Sequence, residues 1–182
     1  MTVTPKIRWS LAEAQDVASE LVAHLGPVCD RLQVAGSIRR RVEQVGDIEL
    51  LCVPRISRSW SGGDMLERRL ADDLYDRLLQ KRLGKGGRTT YGPKNKLLVH
   101  VPSSIPVDIF TTDARNWGMA MVVRTGSADF NIQLMIRFRQ LGMAGHAYGG
   151  VTAVGGQEID CPDEETVFRL AGWTWIPPEE RR

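Results

Sequence analysis

Asp47 and Glu49 stand two residues apart at the head of an apolar run, Ile48 and Leu50 to Val53, and a third acid, Asp108, interrupts a second apolar run from Ile105 to Phe110. Residues two apart in a strand project from one face, so this alternation sends Asp47 and Glu49 to the same side. Two carboxylates so placed repel each other and raise one pKa unless a cation sits between them. Hard oxygen donors of this kind suit a divalent ion. Asp108 would be costly as an unpaired charge inside an apolar strand. Beside the first strand it completes three carboxylates able to hold two divalent ions, which align an attacking oxygen with a phosphorus and stabilise the leaving oxygen.

Upstream lies Val34-Ala35-Gly36-Ser37-Ile38-Arg39-Arg40-Arg41. A Gly-Ser turn offers backbone N–H groups and a hydroxyl to phosphate oxygens with no Cβ in the way, and Arg40 supplies neutralising charge. Ser37 is equally a common turn residue, and any of the three arginines could face the phosphates. Further on, Lys81, Arg82, Lys85, Arg88, Lys94 and Lys96 interleave with Gly84, Gly86, Gly87, Gly92 and Pro93. Basic runs are most often solvated faces, but this composition reads as a flexible basic hairpin suited to a phosphate backbone. Asp64, Asp72, Asp73 and Asp76 cap or ride on an expected helix and read as surface charges.

The elements that position these groups follow from pattern. Ser10-Leu11-Ala12-Glu13 is a capping box opening a helix with apolar residues at Leu11, Ala14, Val17, Ala18, Leu21 and Leu25, ended by Gly26-Pro27. Gln33 to Ala35 reads as a short strand running into the Gly-Ser turn. A second helix is expected from Asp64 to about Leu83, with strands at Lys96–Val101 and Pro106–Thr111. Beyond Thr112 the pattern predicts a helix over Trp117–Val123, a turn at Thr125-Gly126-Ser127 with Ser127 as N-cap, a helix over Phe130–Leu141, a glycine-punctuated hairpin and a last short helix between Pro162 and Gly172. The fold class is α/β (α+β), a mixed sheet with packed helices followed by a small C-terminal α/β unit. The boundary falls near Asp113, giving domains 1–112 and 113–182.

Composition narrows the class without identifying it. With 182 residues, 42% hydrophobic and 25% charged, the chain is an ordinary globular one, large enough for one sizeable domain or two small ones. Its net charge of +2 means that a nucleic-acid surface must come from clustering. Cys29, Cys52 and Cys161 lack zinc spacing and read as reduced thiols, and His24, His100 and His146 have no ligand spacing. Neither an apolar leader nor a membrane-spanning run is evident, so the expected location is cytoplasmic, either in the nucleoid or as a viral or phage protein within its host.

Gly36-Ser37 followed by Asp47-x-Glu49 resembles the signature of polymerase beta-like nucleotidyltransferases. Val107-Asp108-Ile109, Arg124-Thr125-Gly126-Ser127-Ala128-Asp129-Phe130-Asn131 and the terminal Trp173-Thr174-Trp175-Ile176-Pro177-Pro178-Glu179-Glu180-Arg181 narrow the resemblance to family X DNA polymerases. It implies a nucleotidyltransferase palm over 1–112, a thumb-like subdomain over 113–182, and a DNA polymerase that extends a primer 3'-hydroxyl, filling gaps in DNA repair. It also implies two Mg2+ ions, with Mn2+ as an alternative. On this resemblance Asp47, Glu49 and Asp108 are catalytic and metal-binding, and Gly36, Ser37, Arg40, Gly46, Thr125, Gly126 and Asn131 bind the nucleotide. Lys85, Arg88, Lys94 and Lys96 are the candidate DNA contacts. The implied partners are gapped or primer-template DNA and a nucleoside triphosphate, with no membrane and a monomeric state.

The chain departs from the family at three points. Glu49 stands where the family usually carries Asp. Val123-Arg124 replaces an aromatic pair that crowds the sugar, which leaves ribonucleotide exclusion open. The residues before Gly36 are too few for the helical lyase domain of larger members, so no lyase activity is expected. Two other readings compete: a nucleotidyltransferase acting on RNA, a protein or a small molecule, and a non-catalytic module that binds gapped DNA.

Overall fold

The computed structural model describes residues 7–57, 63–148 and 150–182, without the side chain of Lys85. The first part of the chain contains β1 (Trp9–Ser10), α1 (Leu11–Leu25), β2 (Cys29–Val34), α2 (Gly36–Arg39), β3 (Gln44–Val45), β4 (Ile48–Pro54), α3 (Met65–Tyr75), β5 (Leu79–Lys81), β6 (Asn95–His100) and β7 (Pro106–Thr111). The second part contains α4 (Trp117–Thr125), α5 (Ala128–Gln140), β8 (Ala144–His146), β9 (Gly150–Thr152), β10 (Glu158–Ile159) and α6 (Glu164–Ala171).

Local chemistry sets most of the helix starts. Ser10 Oγ accepts from the Glu13 N–H at 3.3 Å while the Glu13 carboxylate accepts from the Ser10 N–H at 2.8 Å, so the capping box opens α1. Ser127 caps α5 by accepting from the Phe130 N–H at 3.2 Å. Asp163, one residue after Pro162, caps α6 through the Thr166 N–H at 2.7 Å, and Gly172 ends that helix in the left-handed region.

The main sheet is mixed and has the order β2-β4-β7-β6-β5, with β4 and β7 parallel and the other neighbours antiparallel. Side-chain alternation divides its two central strands between two layers. Ile48, Leu50, Cys52, Val107 and Ile109 point into a core built with Ala14, Ala18 and Leu21 of α1 and Leu66 and Leu70 of α3. Leu51 and Phe110 point the other way, onto Trp117, Ala120 and Met121 of α4. Each fully buried Leu here contributes on the order of 2 kcal/mol relative to exposure. A separate core joins α4, α5, α6 and the small antiparallel sheet β10-β9-β8 through Val122, Phe130, Leu134, Phe138, Val167 and Phe168.

The second helix is shorter than the 3.6-residue pattern predicts. It ends at Tyr75, Asp76 caps it, and Arg77 takes φ +60°. Leu79–Lys81 then runs as an edge strand against Val99 and its neighbours, with Leu79 fully buried. The open ladder of β6 satisfies these backbone groups where a continued helix would have carried Leu79 away from the core. Asp73, expected on the surface, is 4% exposed and accepts from His24 Nε2 at 2.7 Å, because the end of α1 packs over it. Among the described residues no helix is long and apolar enough to cross a membrane.

Candidate active site

The acids are brought together by strand register. Glu49 lies directly opposite Asp108 in the parallel β4/β7 pair, on the face that α4 covers further along at Leu51 and Phe110. Asp47 immediately precedes β4. Burial first, then the charges of Asp47 and Asp108, push the Glu49 carboxyl up to about 7, while Arg124 and Arg40 pull it down. The repulsion expected from the sequence is therefore present in the folded chain. Asp108 also forms an ion pair with Arg82, Nη2 to Oδ1 at 2.7 Å.

Gly36 has φ +61°, and a Cβ there would collide with Glu49 Oε2. Only glycine lets the turn after β2 lie against that carboxylate. The Ala35 N–H donates to Glu49 O at 2.8 Å, fixing the turn to β4. Ser37 is half-buried and its Oγ has no hydrogen-bond partner among the described residues. Gly46 is buried between β3 and Asp47.

The three arginines after Ser37 have different partners. Arg39 donates to Thr125 Oγ1 at 2.6 Å and makes a bidentate pair with Glu164, at 2.8 and 2.7 Å. Arg40 Nη1 donates to the Thr125 carbonyl, and burial lowers its pKa while Glu49 opposes that shift. Arg41 is exposed and pairs with Glu179 at 3.2 Å. Of the three, Arg40 is the one whose charge reaches the acids. Thr125 is buried, and a Cβ at Gly126 would sit 3.1 Å from Arg40 Nη1, so the bend packs directly on that guanidinium. The Gly126–Ser127 peptide is cis. Asn131 donates from Nδ2 to Val123 O at 2.8 Å, leaving its buried Oδ1 without a partner among the described residues.

Two residues that the sequence pattern left without a role hold the C-terminal unit against this turn. Glu164 is buried and also accepts from Arg181 Nη1 at 2.7 Å, and Arg181 is 1% exposed among the rings of Phe130, Phe168 and Trp175. Burial alone would raise the Glu164 carboxyl, but hydrogen bonds from Arg39 and Arg181 outweigh it and hold the group below its ordinary value. The Arg124 guanidinium lies 3.7 Å from the centre of the Phe110 ring and 4.8 Å from that of Tyr148. No periodicity marks such long-range pairs. The available hint was a single arginine beside the expected turn.

The basic hairpin forms as expected, closed by a turn at Lys85–Gly87 with Gly86 and Gly87 at positive φ. Arg88 and Lys94 are exposed, and Lys94 Nζ lies 5.4 Å from the centre of the Tyr148 ring. The Lys85 side chain lies outside the described residues. Lys96 departs from the expectation of a DNA contact: it is fully buried, its ammonium 2.7 Å from Glu67 and donating to Gly92 O at 3.0 Å. Alternation along β6 turns it into the core side, where it fastens the hairpin base to α3.

Glu49 and Asp108 face each other across β4 and β7 with Asp47 just ahead of β4, oxygen donors of the type that suits a hard divalent cation, and burial followed by the charges of Asp47 and Asp108 drives Glu49 toward protonation. Among the described residues no three acidic, histidine or cysteine side chains form a ready-made metal cluster. Residues 120–182 match the family model of the DNA polymerase beta thumb. No curated protein matches the chain. The thumb match supports a polymerase beta-like relationship and, with it, a DNA-binding, polymerase-related role.

Proposed function

We propose that the chain is a DNA polymerase of the family X type, which adds a nucleotide to a primer 3'-hydroxyl at gaps in DNA. The observation that carries this reading is the in-register placement of Glu49 beside Asp108, with Asp47 in the same field of charge, at the foot of a Gly-Ser turn. The thumb match over the C-terminal part of the chain supports it.

In this reading Asp47 and Glu49 would hold both the nucleotide-side and the catalytic divalent ions, and Asp108 would hold the catalytic one. When bound, two Mg2+ or Mn2+ ions would supply Lewis-acid polarisation and charge neutralisation for in-line attack of the 3'-hydroxyl oxygen on the alpha-phosphorus, which breaks its bond to the beta-phosphate and releases pyrophosphate. The chain's own groups do the rest. Ser37 Oγ and the backbone N–H groups of the turn that Gly36 opens receive triphosphate oxygens, helped by Gly46. Arg40 adds positive charge beside them. Thr125-Gly126 bends beneath the sugar, and Asn131 reaches the incoming nucleotide from the minor-groove side. Asp108 accepts the primer hydroxyl proton. Most of the acceleration then comes from positioning and electrostatics. Arg88 and Lys94 contact the DNA backbone.

Primer extension on a duplex with a one-nucleotide gap tests this, with Mg2+ or Mn2+, each deoxynucleotide and ribonucleotide offered separately, and Asp108→Ala as control. Templated addition that vanishes in the control is the expected result. Intact duplex binding with no addition under any condition would overturn the proposal. The ribonucleotide lanes report whether Arg124, in place of an aromatic, relaxes sugar selection.

A further inference from the structure

Arg82 follows β5 at the sheet edge, where its N–H donates to Leu97 O at 2.9 Å. The antiparallel β5/β6 register, with Lys81 opposite Leu98, continues to Arg82 opposite Leu97, and Leu97 lies opposite Asp108. Arg82, Leu97, Asp108 and Glu49 therefore form one row across four strands, and residues in such a row project to one face. The Arg82 guanidinium reaches along the row to Asp108 at 2.7 Å, with the two side chains 28% and 14% exposed. This ion pair places a protein cation on the acid that the proposed reaction needs for a metal. The same residue opens the basic hairpin, next to exposed Lys81 and ahead of exposed Arg88 and Lys94.

Resting on the polymerase reading above, we infer that Arg82 is a positioning residue that couples DNA engagement to metal loading. Without DNA its guanidinium occupies Asp108. When a primer strand lies along the hairpin, a backbone phosphate takes the guanidinium, which suits phosphate as well as it suits carboxylate. Asp108 is then released to coordinate the catalytic divalent ion. An arginine that stays partly exposed can make this exchange, whereas buried Lys96 in the next strand cannot.

Mn2+ binding to the full-length chain tests the inference, followed by the electron paramagnetic resonance signal of free Mn2+, with and without a gapped duplex whose primer ends in a dideoxynucleotide. In the wild type the duplex should tighten Mn2+ binding. In Arg82→Met, Mn2+ should bind about fivefold more tightly without DNA, the order expected for losing a partly exposed competing ion pair, and the duplex should add little. Arg82→Lys retains a cation on the row and should retain the DNA dependence. Asp108→Asn should weaken binding in every background. If Arg82→Met binds Mn2+ with wild-type affinity and wild-type DNA dependence while Asp108→Asn weakens it, the coupling is refuted and the metal site stands. If the wild type binds no Mn2+ even with DNA and nucleotide, the polymerase reading fails with it.

Discussion

Replacing Glu164 with Ala removes the carboxylate that joins the Gly-Ser turn to the C-terminal unit. Two guanidiniums lose their partner, but they are not equivalent. Arg39 is partly exposed, with 23% of its side chain accessible, and keeps its bond to Thr125 Oγ1. Arg181 has no exposed side-chain surface and keeps its hydrogen bond from Nε to Ile176 O, at 2.9 Å. Breaking a buried pair by removing one member costs about 3–5 kcal/mol, largely from the charge left behind. In a chain of this size that lowers Tm by roughly 6–20 °C. Urea unfolding followed by tryptophan fluorescence and circular dichroism measures the loss. Removing both charges, with Glu164→Leu and Arg181→Met together, should cost less than Glu164→Ala alone. The pH dependence has a definite sign. The folded carboxyl lies below its ordinary value of 4.5, so its contribution is present above that value and is lost as pH falls toward and through the depressed one. The gap between wild type and Glu164→Gln should therefore narrow below about pH 4.5. A Glu164→Ala loss under 1 kcal/mol, or a double variant less stable than the single one, would refute the reasoning.

Gly36→Ala should abolish primer extension and lower stability by about 1–3 kcal/mol, since it combines a strained φ with a collision at Glu49; wild-type melting would remove the basis for that argument. Lys96→Ala should reduce Tm while leaving the salt dependence of DNA binding unchanged. Lys94→Ala should leave Tm unchanged and lower the salt slope by about 1, and fluorescence anisotropy across a salt series separates the two outcomes. His100 is buried, with Nδ1 2.8 Å from Ser103 Oγ, and burial lowers its pKa while Glu20 opposes the shift. A histidine held below its unfolded value loses stability as pH falls from that value, so wild-type Tm should drop between pH 7.5 and 5.5 about as far as one such group dictates. His100→Gln should flatten the drop, and an unchanged profile would exclude this histidine as its source.

The parts of the molecule legible in the sequence are those written in local pattern. Ser10 with Glu13, Ser127 with Phe130 and the glycines near Lys85 each satisfy a backbone requirement within a few residues. The alternation around Glu49 and Asp108 announced two strands with acids on one face, and only their adjacency needed the fold. Tyr75 was not readable as a helix end, since Leu78 continues the helical spacing while the open ladder of β6 decides otherwise. Lys96 looked like a DNA contact and Asp73 like a surface charge because burial of a charge depends on a partner distant in sequence, Glu67 for one and His24 for the other. Glu164 escaped notice for the same reason, and so did the partners of Arg181 and Arg82, which the sequence showed only as part of a terminal motif and of a basic run. Arg39 meets Glu164 across 125 positions of chain, a separation that no periodicity records.

The two faces of the central sheet bear on how the chain can be divided. Although residues 1–112 contain every strand of the main sheet, their own helices α1 and α3 cover one side of it. Leu51 and Phe110 are roofed by Trp117, Ala120 and Met121, which come after the natural place to cut. A fragment ending at 112 would carry the acids beside an uncovered apolar patch, and it would meet other copies of itself before it met a substrate. A durable half-molecule has to keep α4, so the smallest useful sheet fragment ends after Thr125 rather than where the change in sequence character suggests.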